Sequence, residues 1–145
     1  MVHNVVEPAK RNGTQRKNGK LPVSTDMVKS IVAKYGKVDA NPKDLRNSAM
    51  LLLGFTGFFR FKELANIRTS HIEFVYDHMS IFIPTSKTDV CREGNKVIIA
   101  RTGNVTCPVN MVLRYISAAK IDANSSGLLI RQVTFRKNCN SIIMF

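Results

Sequence analysis

Apolar residues recur at helical spacing over three stretches of this chain and at alternate positions over three others. Met27, Val28, Ile31, Val32 and Tyr35 return every three or four residues, which predicts a helix with one five-residue apolar face. Ser24, Thr25 and Asp26 before them offer side-chain oxygens to its first turn, and Gly36 offers a stop. Asn41-Pro42 repeats the start signal, because Asn caps a helix and Pro fits its first turn. Leu45, Ala49, Leu52 and Leu53 follow at helical spacing, with Met50 and Leu51 widening the face. This helix is therefore expected to be the buried central one, ending near Gly57. A short helix is expected from about Phe61 to Asn66.

The period then falls to two. His71 to Val75 alternates and reads as a strand, Tyr76-Asp77-His78 as a turn, and Met79 to Ile83 as a second strand stopped by Pro84. Lys96 to Ala100 reads as a third, after a polar stretch from Thr85 to Asn95. Cys107-Pro108 opens a further helix with Val109, Val112, Leu113 and Ile116 as its inner face. Leu128-Leu129-Ile130 is a short apolar piece, and the basic tail from Arg131 to Phe145 shows no clear period. Phe55, Phe58, Phe59 and Phe61 share one apolar run and read as core. The order predicts an α+β fold, with helices packed on a small three-stranded antiparallel sheet.

Composition narrows the class. The 145 residues suffice for one domain with a real core, and 44% hydrophobic content excludes compositional disorder. Lys and Arg number 22 against 10 Asp and Glu, for a net charge of +12 and a pI near 10.1. Such an excess makes a polyanion the default partner, since Lys and Arg displace the counterions condensed on phosphates. Residues 1–20 are polar and basic and read as a flexible leader, leaving residues 21–145 as the folded part. Cys91, Cys107 and Cys139 are scattered, with no CxxC pair and with His scarce, so neither a zinc site nor any cofactor is expected. No apolar run reaches a membrane-spanning length and no secretory leader is recognisable, so an intracellular chain without membrane contact is expected.

One cation stands out by its placement. In Gly54-Phe55-Thr56-Gly57-Phe58-Phe59-Arg60-Phe61-Lys62-Glu63-Leu64-Ala65-Asn66-Ile67-Arg68, an apolar run delivers Arg60 to a fixed point, with Glu63 in the first turn of the next helix. Twenty-seven residues later, Ser86-Lys87-Thr88-Asp89 carries a lysine in the long loop between the second and third strands. An arginine fork pairs two phosphate oxygens and stays charged, while a loop lysine approaches freely and can release a proton. The two suit a phosphodiester, one for its non-bridging oxygens and one for the departing sugar oxygen. Arg68, Arg92 and Lys96 are expected to contact DNA backbone, and Glu63 to support Arg60. His71 and His78 read as surface or turn residues.

These motifs resemble the first half of the catalytic domain of the tyrosine recombinase (phage integrase) family, over about Leu21 to Ile130. Leu51 to Arg68, together with Ser86-Lys87-Thr88-Asp89, looks most like its eukaryotic, mobile-element-related branch. The resemblance implies metal-free transesterification of double-stranded DNA through a 3′-phosphotyrosyl link, assembly of copies on DNA, and nuclear residence. It casts Arg60 and Lys87 as catalytic residues. It also implies a later His-x-x-Arg box and a nucleophilic tyrosine, which the chain lacks: no His follows His78, and Tyr35, Tyr76 and Tyr115 all stand in the wrong places. The chain is thus expected to be a fragment that binds DNA without cutting it alone, with exposed apolar patches where further helices would pack. Two alternatives stay open: a non-catalytic, domesticated DNA-binding module, and a basic RNA-binding protein.

Overall fold

A computed structural model describes residues 21–84, 94–122, 125–134 and 143–144. Helix α1 spans Thr25–Tyr35, with the Ser24 hydroxyl accepting from the Met27 amide at 3.3 Å and the Gly36 amide closing the last turn on the Val32 carbonyl at 2.7 Å. Only Val28 and Val32 of its expected face are buried; Met27, Ile31 and Tyr35 are exposed. The reason is that, among the described residues, α1 packs chiefly against α2, which covers one i, i+4 row and leaves the flank open.

Helix α2, Pro42–Thr56, is the central element and touches α1, α3 and α4. Asn41 Oδ1 accepts from the Asp44 amide at 2.9 Å, and the Gly57 amide donates to the Leu53 carbonyl at 2.9 Å. Leu45, Ala49, Leu52 and Leu53 are buried, as the spacing predicts. Helix α3 is short, Phe61–Asn66, and α4 runs Pro108–Ala118. The inner face of α4 is Val109, Met111, Val112 and Tyr115, whereas Leu113 and Ile116 are only half-buried. Tyr115 reaches full burial because its hydroxyl accepts from the Arg131 amide at 3.4 Å.

The sheet has strands β1 (Ile72–Phe74), β2 (His78–Ile83) and β3 (Asn95–Ala100), antiparallel in that order. Ile72 pairs with Ile81, Met79 with Ile99 and Ile83 with Asn95. This register puts Met79, Ile81, Ile83 and Ile99 on the face that packs on the helices. Glu73, Ser80, Phe82, Lys96 and Ile98 lie on the other face. His71 is not part of β1: it closes a 3-10 turn over Thr69–His71, its ring nitrogen Nδ1 3.5 Å from the Arg68 amide. The basic tail, which has no readable period, contributes a two-residue strand pair, β4 (Val133–Thr134) with β5 (Ile143–Met144). The expected α+β architecture, four helices and a three-stranded antiparallel meander, is what the described residues adopt.

Two of the four phenylalanines do not belong to the core. Phe55 and Phe59 pack against it, but Phe58 and Phe61 are 89% and 73% exposed. The apolar run fails as a predictor here because α2 has ended at Gly57, and the chain turns at Phe58 with φ at 52° before α3 begins.

A candidate phosphate-binding cleft

Arg60 is placed by the join between α2 and α3. It is the N-cap of α3, with extended backbone (φ −72°, ψ 155°), and its amide donates to Glu63 Oε2 at 2.7 Å. A guanidinium has no acceptor, so the glutamate alone closes this cap. Glu63 Oε1 lies 3.5 Å from Arg60 Nη1, which leaves the arginine side chain 54% exposed and the glutamate 13% exposed. The carboxylate thus fixes both the backbone and the orientation of the arginine, while about half of the arginine side chain still faces solvent.

Beyond α3 the chain is held by a distant segment. The Leu129 amide donates to the Ile67 carbonyl at 2.8 Å, and the Thr69 amide to the Gly127 carbonyl at 3.0 Å. The buried Thr69 hydroxyl bonds the Ser125 carbonyl, and Arg68 Nη1 donates to the Ser126 carbonyl at 2.6 Å. These bonds build the far wall of a cleft of about 620 Å³. Arg60, Lys62 and Arg68 line it, with Glu63 the carboxylate among its lining residues; Ile83 and Pro84, at the end of β2, form another side. The net positive lining and the open mouth suit a phosphate group carried on a polymer.

The sequence-derived residues are distributed unevenly. Arg60, Glu63 and Arg68 come together in this cleft. Arg68 is partly committed, since its guanidinium holds Ser126. Lys96 is not among the cleft-lining residues: it stands on the outer sheet face with Nζ 3.0 Å from Glu73 Oε2. That hydrogen bond, with a second from the Ser80 hydroxyl, holds the Glu73 carboxyl below its ordinary range. Lys87 and Arg92 lie outside the described residues, as do Asp89, Cys91 and Cys139. Pro84, three positions before Lys87 in the chain, lines the cleft.

Sequence reasoning did not single out Lys62 or His71 as lining residues. Lys62 was findable, because a residue in the first turn after a helix start shares the neighbourhood of the N-cap. His71 is half-buried, its ring edge-on to Phe82 with centroids 6.0 Å apart, a contact that depends on the sheet and leaves no local signal. Among the described residues, no group of three or more His, Cys, Asp or Glu side chains is placed to hold a metal ion, and no helix is long and apolar enough to cross a membrane.

The fold and cleft define a small basic α+β domain with an arginine held at a helix start. No protein-family profile matches the chain. It is similar to the integrase/recombinase XerD homolog of Selenomonas ruminantium, at 24% identity over 135 residues, which is 92% of this chain and 38% of that protein. The chain is therefore recombinase-like in sequence along most of its length, and it spans well under half of that relative.

Proposed function

We propose that residues 21–145 are part of a tyrosine recombinase-type catalytic domain that binds double-stranded DNA through the Arg60 cleft. The observation that carries the reading is the placement of Arg60. A guanidinium fixed at a helix start by Glu63 is half-exposed in a cationic cleft, and Pro84, three positions before Lys87, lines the same cleft. From Pro84 to Lys87 the chain spans at most about 11 Å, within reach of the same phosphate. On this reading Arg60 pairs the non-bridging oxygens and Lys87 hands a proton to the leaving sugar oxygen, once a tyrosine oxygen attacks phosphorus. The chain offers no nucleophile for that attack: Tyr115 is buried on Arg131, and Tyr35 and Tyr76 do not line the cleft. It binds and does not cut by itself, because losing one member of a catalytic set already costs orders of magnitude. Arg68 and Arg92 add contacts to the backbone, and copies assemble on the DNA. The strings around Arg60 and Lys87 favour the eukaryotic mobile-element-like branch, with the nucleus as compartment.

Fluorescence anisotropy with labelled duplex DNA over a salt series tests this. Binding is expected to weaken steeply with salt, and Arg60→Ala should lower the slope of log K against log salt by about 0.9, the value for one lost phosphate contact. Salt-independent binding, or stronger binding to structured RNA than to duplex DNA, refutes the reading. A covalent protein–DNA adduct on a suicide substrate refutes its non-cutting part.

A further inference from the structure

Phe58 and Phe61 flank Arg60 and are the two rings of their run that turn outward. Phe58 is 89% exposed and Phe61 73% exposed. Phe59 between them is folded back so tightly over Gly57 that a Cβ on that glycine would sit 2.4 Å from its ring. The turn-out is enforced by the backbone, since Phe58 has φ at 52°, a left-handed conformation that a bulky residue adopts only at a cost. Phe58 also lines a smaller hollow of about 230 Å³ that shares Arg60, Glu63 and Ile83 with the main cleft. The exposed Lys62 beside Phe61 lines that main cleft.

A protein partner would favour contiguous rings. Here Phe61 stands between Arg60 and Lys62 in the chain, and Phe58 shares its hollow with Arg60, in a chain with a net charge of +12. Rings interleaved with cations make up the platforms that bind unpaired nucleotides, the rings stacking on bases and the cations following the phosphates. Resting on the reading of the cleft as a DNA-phosphate site, we propose that Phe58, with Phe61 on the other side of Arg60, stacks on an unpaired nucleobase next to the phosphate held by Arg60. The region then prefers locally opened DNA to intact duplex. The energy stored at Phe58 is consistent with a ring kept outside the core for a ligand.

The test titrates the full chain with two oligonucleotides of one sequence, an intact duplex and a duplex with a short mismatched bubble containing a fluorescent purine analogue. The wild type should favour the bubble and quench the analogue. Phe58→Ala should lose about 5- to 150-fold in bubble affinity, the range for one stacked base, with duplex binding unchanged. Phe58→Tyr should keep the preference, and Phe58→Leu, closer in size, should lose it even if the alanine variant folds poorly. Arg60→Ala should weaken both complexes alike. Equal wild-type affinities for the two DNAs, or a Phe58→Leu variant with the preference intact, overturn the stacking proposal and leave the cleft reading standing. Binding to neither DNA overturns both. A dimer that dissociates in Phe58→Ala without any bubble preference assigns the ring to self-contact and overturns the proposal.

Discussion

Replacing Glu63 separates the two ways in which it holds Arg60. Its Oε2 accepts the Arg60 amide at 2.7 Å, while its Oε1 meets the guanidinium at 3.5 Å. Glu63→Gln keeps an acceptor for the amide and removes the charge; Glu63→Ala removes both. Losing a helix cap costs about 1 kcal/mol. An ion pair whose arginine is half-exposed contributes about 0.5 kcal/mol or less after screening. The alanine variant should therefore lose about 1–2 kcal/mol and the glutamine variant about 0.5 kcal/mol. At about 4 °C per kcal/mol for a domain of this size, the expected drops in Tm are about 4–8 °C and about 2 °C. Circular dichroism melts of the three proteins read this directly. High salt should bring wild type down to the glutamine variant by screening the pair, and should leave alanine below both. Alanine and glutamine melting within about a degree of each other at low salt would show that the carboxylate does not act as the cap and that Arg60 is positioned by something else.

Three further outcomes follow from the geometry. Thr69→Val removes the hydroxyl bonded to the part-buried Ser125 carbonyl and should cost about 0.5–1.5 kcal/mol, as the loss of one hydrogen bond does; the Leu129 amide should exchange faster, and Thr69→Ser should restore most of the protection. Glu73 is held below its ordinary value of 4.5, chiefly by Lys96, so its contribution is present above that pH and fades as pH falls through the lower folded value. Melts across acid pH should show Glu73→Gln losing less stability than wild type, and an identical acid slope would contradict this. Burial pushes the Tyr115 hydroxyl above its ordinary 10.0, so stability is full below that pH and declines as pH rises through the folded value. Tyr115→Phe should remove that alkaline decline, and parallel alkaline melting curves for the two proteins would count against it.

The parts of the fold governed by neighbours in sequence were readable, and those governed by distant packing were not. Helix α3 matches its expected span, Phe61–Asn66, and α2 its start and stop, because Asn41, Pro42 and Gly57 act locally. Met111 and Tyr115 were missed as core because burial on α4 is decided by α2 and the sheet. Phe58 and Phe61 were misread because hydrophobicity says where a ring gains energy, while the left-handed turn at Phe58 decides where it can go. At the cleft, the charge and the helix start at Arg60 were legible. The wall from Ser125 to Leu129 was not, since its bonds to Ile67–Thr69 cross more than fifty positions of chain. The turn after β1 sits one position earlier than expected, since Val75 has left the strand and His78 already pairs in β2.

That wall has a consequence for biosynthesis. A ribosome releases Arg60 and α3 well before Ser125 to Leu129 emerge, so the nascent chain carries its exposed guanidinium on a half-built scaffold for the whole interval. Closing so long a loop is entropically slow compared with winding a helix. On the proposed reading of the cleft, its grip on a polyanion is a late event of synthesis, acquired only when the final apolar piece docks.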